Sequence, residues 1–194
     1  MSVLRALRAA DYRRTRWKNG GGWTTELARD GDDADFRWRI SIAEIGSDGP
    51  FSEFPGVARD LLLLEGAGLE LDIEGAPPLR LTRRFEHAHF AGEARVQCRL
   101  LAGPTRDFNV MVRRDAVCSE VVARPLVGPM LLFPEAGVEW FVHAFSGHAN
   151  ARATGNESAL ESGDSLHVDF RAGDGSRVLL EGAGELILVK LLPA

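Results

Sequence analysis

The chain has 194 residues, 45% of them hydrophobic and 26% charged, a globular composition long enough to bury a core without disulfides or structural metals. Its 23 Lys and Arg stand against 28 Asp and Glu, for a net charge of −5, so it lacks the basic excess that a phosphate backbone demands and nucleic acid is not an expected partner. No apolar run exceeds strand length (Leu61 to Leu64 is typical), so no membrane span is expected.

The opening stretch MSVLRALRAADYRR carries Arg5, Arg8, Arg13 and Arg14 and is broken by Asp11. It lacks the unbroken apolar segment of a signal peptide, and an organelle transit peptide, which its arginines would suit, is not expected because Asp11 interrupts it and the first motif follows at once. Helix is expected to be scarce, a turn or two in the first ten residues or in RPLVGPML (124–131). RWKNGGGWTTEL (16–27) follows, with three consecutive glycines. Such a run is costly in conformational entropy and implies a loop that approaches something closely. FRWRISIAEI (36–45) alternates and is rich in β-formers, which predicts a strand. SDGPFSEFPGVAR (47–59) carries Gly49, Pro50 and Gly56, a rigid double turn that presents Phe51 and Ser52. Short strands are then predicted in DLLLLEGAGLELDIEG (60–75), in RVQCRLLAG (95–103) and in DFNVMVRR (107–114), the last two flanking Gly103-Pro104-Thr105. After Pro134 come VEWFVHAFSG (138–147), ANARAT (149–154), DSLHVDF (164–170), SRVLLEG (176–182) and ELILVKLL (185–192). Strands at this spacing, with turn residues between them, predict an all-β sandwich or barrel.

A weak internal repeat gives the organisation. LLLLEGAGLELDI (61–73) is echoed by VLLEGAGELILVKL (178–191) and more loosely by FVHAFSGHANARA (141–153). Each is read as a hairpin turning at glycine. LESGDSLHVDF (160–170) resembles the Gly-Asp turn and strand of cupin barrels. The expected architecture is a bicupin: two tandem small β-barrels or jelly rolls packed into one body, with halves at 1–115 and 116–194. The EGAG segments are not dinucleotide loops, because no helix follows to offer its N-terminus to a pyrophosphate.

His87 and His89 form H-x-H, with Glu93 four residues on. On a strand the two imidazoles would share a face, as metal ligands must. A cupin metal motif would also need glycine where Leu81 and Leu100 stand, so no metal and no cofactor is expected. Cys98 and Cys118 share no C-x-x-C spacing and are read as two buried thiols of a reducing, cytoplasmic setting. Neither a G-x-S-x-G elbow nor a phosphate-binding loop occurs.

Strand parity points to a candidate site. Phe36, Trp38, Ile40 and Ile42 share one face of their strand; Arg37, Arg39, Ser41 and Ala43 share the other. Asp107, Asn109 and Met111 oppose Phe108, Val110 and Val112, and Thr24 and Glu26 share a face. The polar faces either meet solvent or line a barrel mouth, and parity alone does not choose. In the second case Arg39 is a carboxylate anchor, and Asp107 and Asn109 an orienting pair.

RWKNGGGWTTEL, WRISIAEIGSDGPFSEFPGVARDLLLLEGAGLEL (38–71) and FAGEARVQCRLLAGPTRDFNVMVRR (90–114) resemble, in order and spacing, the HutD/Ves family. The resemblance implies a bicupin without an obligatory metal, tied to bacterial histidine utilisation or, for Ves-like members, to stress response. It implies a regulator that binds a small carboxylate, urocanate or a formylated or formimino glutamate derivative, in a family with no established reaction. The implied ligand-binding positions are Trp17, Lys18, Asn19, Thr24, Glu26, Arg39, Ser41, Phe51, Ser52, Asp107 and Asn109. Arg39, with Lys18, would grip the carboxylate while Asp107, Asn109 or Glu26 bonded ring nitrogens beneath an aromatic cover. Without an acid bound, Arg39 is expected beside Glu26 or Asp107, since buried charges must be paired. Alternatives are a metal-independent enzyme using Glu26 and Asp107 as acid and base, or an interaction protein. Exposed sheet edges would also permit a homodimer.

Overall fold

Alternating sequence becomes strand almost throughout the computed structural model, which describes residues 3–32, 35–170 and 176–194. The chain opens with β1 (Val3–Leu7) and a 3-10 turn at Ala9–Asp11. Next come β2 (Arg13–Arg16), β3 (Gly22–Gly31), β4 (Phe36–Ile45), β5 (Gly49–Pro50), β6 (Val57–Glu65), β7 (Leu69–Ile73) and β8 (Leu79–Leu81). β9 (His87–Ala91), β10 (Val96–Leu100), β11 (Thr105–Arg113), β12 (Val117–Val127) and β13 (Met130–Leu132) follow. The last are β14 (Glu139–Ala153), β15 (Asn156–Glu161), β16 (Ser165–Asp169) and β17 (Val178–Pro193). The 3-10 turn overlaps the end of the first ten residues, where a helical turn is expected, but RPLVGPML is strand: Pro125 sits in β12 and Pro129 between β12 and β13.

Two compact units result. One is Arg13–Val117; the other joins the segment through Tyr12 to Cys118–Ala194. The expected boundary at 115 and 116 lies close to the second crossover, but residues 3–12 go with the C-terminal half. β1 pairs antiparallel with β16, Leu4 opposite Val168. Tyr12 Oη donates to Ser165 Oγ at 2.8 Å, and Arg8 meets Asp164 at 2.7 Å. A strand paired with another about 160 residues later, as this register shows, leaves no local sequence signal.

In the 13–117 unit a six-stranded sheet runs β2-β3-β4-β11-β6-β9, and a four-stranded sheet runs β5-β10-β7-β8. They pack through Ile45, Leu61 and Leu63 of the larger sheet and Leu69, Leu71, Val96 and Cys98 of the smaller. Each such leucine contributes about 1.5–3 kcal/mol when fully buried. The second unit is a seven-stranded sheet with the path β1-β16-β14-β17-β12, built on Val142, Leu160, Leu166, Phe170, Leu180 and Leu188.

The glycine hairpins are not hairpins. β6 pairs with β11 and β9, while β7 pairs with β10 and β8, so 61–73 crosses from one sheet to the other. Gly68, at φ +107°, makes the crossing, and a Cβ there would lie 2.2 Å from the Leu81 carbonyl. The other two segments are single long strands, β14 and β17, paired with each other from Glu139↔Leu191 to Arg152↔Leu179. Gly147 faces Gly184 just past a bulge between Ala144 and Ser146, and a Cβ on Gly147 would sit 2.0 Å from the Ala183 carbonyl. These glycines permit close backbone approach rather than chain reversal. Cys118 is exposed, contrary to the expectation of two buried thiols; its strand is open on that face, whereas Cys98 is buried between the sheets.

Candidate functional site

One face of the six-stranded sheet changes character along its strands. Ile45, Leu61 and Leu63 fill the space against the smaller sheet. Farther along the same face come Arg39, Ser41, Arg59 and Asn109. Register sets these side by side: Thr24, Ala43, Asp107 and Leu63 form one row, and Glu26, Ser41, Asn109 and Leu61 the next. Beyond it Arg39, Met111 and Arg59 form a third. The polar faces therefore line an interior: Ser41 and Asn109 are buried, and Asp107 is 0% exposed.

They open into a cavity of about 630 Å³, within the range of small-molecule sites. The structure brings all eleven sequence-derived residues to its lining: Trp17, Lys18, Asn19, Thr24, Glu26, Arg39, Ser41, Phe51, Ser52, Asp107 and Asn109. Their local roles differ. Asn19 Oδ1 accepts from Gly21 N at 3.0 Å, and Gly20 N donates to the Trp17 carbonyl at 3.0 Å, closing the turn after β2. A Cβ on Gly22 would lie 2.4 Å from the Glu44 carbonyl and 3.0 Å from the Trp17 ring. The glycines thus let Trp17 fold back over the chain, where its Nε1 donates to Thr24 Oγ1 at 2.8 Å. Trp17 and Phe51 also pack on the apolar core. Lys18 and Ser52 are exposed at the rim.

Arg39 Nε donates to Glu26 Oε2 at 2.7 Å, the pairing expected of it, and Arg29 reaches the other Glu26 oxygen at 3.6 Å. Arg59, at the cavity floor, was not among the sequence-derived residues. It is buried under the rings of Phe51, Phe54 and Phe90, 5.0–5.6 Å from their centroids, an arrangement favourable to a cation. Its Nη1 donates to the Ser52 carbonyl and its Nη2 to Asn109 Oδ1, each at 3.3 Å, while its Nε has no partner. Parity within VARDLLLLE carries the signal, since Arg59 shares a face with Leu61 and Leu63.

Asn109 Nδ2 donates to Asp107 Oδ1, and Asp107 Oδ2 has no partner. Burial pushes the Asp107 carboxyl up to about 7, against the opposing pull of Arg59 and Asn109. Burial also lowers Arg59 to about 10 and, aided by Asp107, raises the Cys98 thiol to about 12. Arg13, Arg16 and Lys18 border the opening and have no carboxylate partner among the described residues.

His87 and His89 lie on β9, outside the cavity lining. His87 Nε2 and His89 Nδ1 both sit 2.8 Å from Oδ1 of the buried Asp60, while Glu93 bonds Arg114 at 2.5 Å. No three His, Cys, Asp or Glu side chains among the described residues are grouped to hold a metal ion.

The HutD family profile matches residues 9–188. The chain belongs to the HutD family. A 21.2 kDa Pseudomonas putida protein encoded in the hutC 3′ region is 48% identical over 113 residues, 57% of this chain and 59% of that protein. Protein Ves of Citrobacter koseri is 41% identical over 108 residues, 54% of this chain and 56% of that protein. The matched segments thus span little more than half the length of these curated relatives. HutD from Pseudomonas fluorescens SBW25, solved in a formate condition, superposes with a TM-score of 0.82 at 32% identity and covers 99% of this chain and 100% of that one. The fold of this HutD-family chain is accordingly the β cupin type. No helix among its described residues is long and apolar enough to cross a membrane.

Proposed function

We propose that this chain binds a small carboxylate metabolite, urocanate or a related intermediate of histidine degradation, in the cavity of the 13–117 unit, and that it modulates histidine utilisation rather than catalysing a step of it. The observation that carries this reading is Arg59, a buried guanidinium at the cavity floor with Nε unpartnered. A buried cation with spare donor capacity favours an acid that forks onto it. Arg39 supplies a second guanidinium once it turns from Glu26, and the unpartnered cations at the opening favour anions over amines. Trp17 and Phe51 offer flat apolar cover, and Asn109 and Asp107 offer polar groups for a nitrogen-bearing ring. In the P. putida relative the hutC-adjacent gene position points the same way.

Thermal unfolding with histidine, urocanate, formiminoglutamate and formylglutamate tests the reading. Ligands of the native state raise the midpoint by mass action. A dose-dependent rise with one of the acids, and none with the corresponding amide or ester, is the expected result. No rise with any carboxylate would remove it, and mass-spectrometric turnover of a ligand would replace it with an enzyme.

A further inference from the structure

We propose that Asp107 receives the ligand as a neutral carboxylic acid, so that anion binding in this cavity is coupled to the uptake of one proton and is selective for a carboxylate able to share that proton. The inference rests on the acid-binding reading above and goes beyond it by assigning the protonation state at the cavity floor. Asp107 is 0% exposed; one oxygen is held by the Asn109 amide, and the other has no partner. Arg59 Nε is the second buried, unpartnered polar atom of the lining. One is an anion or an acid, the other a fixed cation, and both await a group that the chain does not supply.

The surrounding charges decide which state accepts an anion. From β6 Arg59 faces Asp107, and Asn109 lies between them on β11. From β4 comes Arg39, already neutralised by Glu26 of β3. From the smaller sheet comes Cys98 of β10, a thiol raised to about 12 and so uncharged, with Asp48 acting on it from the loop between β4 and β5. Lys18 stands at the rim, bordering the opening with Arg13 and Arg16 of β2. Arg59 therefore has Asp107 as its near anionic counterpart. An ionised Asp107 compensates Arg59, and an entering carboxylate meets a like charge in a low-dielectric site. A protonated Asp107 leaves Arg59 uncompensated and turns Oδ2 into a donor. The ligand carboxylate then accepts from Arg59 Nε and from Asp107 Oδ2–H, and both unpartnered atoms are satisfied. The proton comes from solvent and no covalent bond changes. Burial already brings the carboxyl to about 7, so the coupling operates near neutral pH.

Acetate is the probe, followed by titration calorimetry of the full chain in two buffers of different protonation enthalpy at about pH 8. Close to one proton is expected to be taken up per acetate bound. The affinity is expected to fall about tenfold per pH unit above about 7 and to level off below about 6. Asp107→Asn, which presents an N–H in place of the O–H, is expected to bind acetate with a flat pH profile and at least about tenfold more tightly than the parent at about pH 8. Acetate binding with no proton uptake and no pH slope overturns the proposal and leaves the acid-binding reading standing. Absence of acetate binding from about pH 6 to 8 overturns the proposal, and only with no thermal response to any of the carboxylates does it remove the acid-binding reading as well. If Asp107→Asn does not fold, proton uptake by the parent protein decides the matter alone.

Discussion

Arg59 and Asp107, on the neighbouring strands β6 and β11, are joined through a single amide: Arg59 Nη2 donates to Asn109 Oδ1, and Asn109 Nδ2 donates to Asp107 Oδ1. The amide satisfies a cation on one side and a carboxyl on the other. It leaves Arg59 Nε and Asp107 Oδ2 without partners. That relationship separates Arg59 from Arg39, which is already engaged by Glu26.

The arginines should respond differently to truncation. Arg39 and Glu26 retain 25% and 18% side-chain exposure, so Arg39→Ala is expected to change stability by no more than about 1 kcal/mol. It should weaken acid binding about 10- to 100-fold through a lost charge-assisted bond. Arg59→Ala also removes the cation beneath three phenylalanine rings and strands Asn109, with an expected cost of about 3 kcal/mol. Urea unfolding alongside acid titration of each variant checks this, and unaltered binding by Arg39→Ala would remove Arg39 from the site and leave Arg59 as the anchor.

Asp107 makes stability depend on pH. Its carboxyl rises from 3.8 to about 7 on folding. Between those values the native state holds a proton that the unfolded chain has released, so this group makes stability fall as pH rises through the window, then level off above about 7. The full effect is of the order of 4 kcal/mol. Asp107→Asn is expected to flatten this slope and to be the more stable protein at about pH 8. Unfolding free energies measured at a series of pH values give both slopes, and parallel slopes would contradict the assignment.

Gly22→Ala should damage the site from outside it. The new methyl would meet the Glu44 carbonyl and the Trp17 ring, neither of which can yield without opening the turn after β2. A loss of about 1–3 kcal/mol is expected, with release of Trp17 from Thr24 visible as a shift in its fluorescence. A midpoint and spectrum like the parent's would mean that the loop adapts.

Replacing His87 and His89 together by Ala removes two donors from the buried Asp60 carboxylate. A loss of about 1–3 kcal/mol is expected, with the ligand-induced rise in midpoint unchanged, because neither side chain lines the cavity. If the double variant loses ligand response or a metal requirement instead, the H-x-H pair has a functional role.

Much of this was legible residue by residue. Alternation in FRWRISIAEI marks β4 at its observed ends, Phe36 and Ile45. The three glycines announce a close approach, which proves to be to Trp17 and the Glu44 carbonyl. Arg59 is not legible in this way, because its segment reads as a hydrophobic run after a turn, and one cation at its edge looks like a solvated flank. The EGAG segments misled for a related reason. A glycine that reverses the chain, one that carries it between sheets and one that lets two strands touch all have the same local sequence.

The sequence by itself determined the strand periodicity, the acidic balance and which side chains share a face, because these follow from composition and from the two-residue repeat of an extended chain. Only the tertiary structure decided that the polar faces of β3, β4 and β11 turn inward, that Arg59 meets Asn109 and Asp107, and that β1 joins β16. Those outcomes depend on pairing between strands distant in the chain. Register is set by the summed burial of both partners and cannot be read from either one alone.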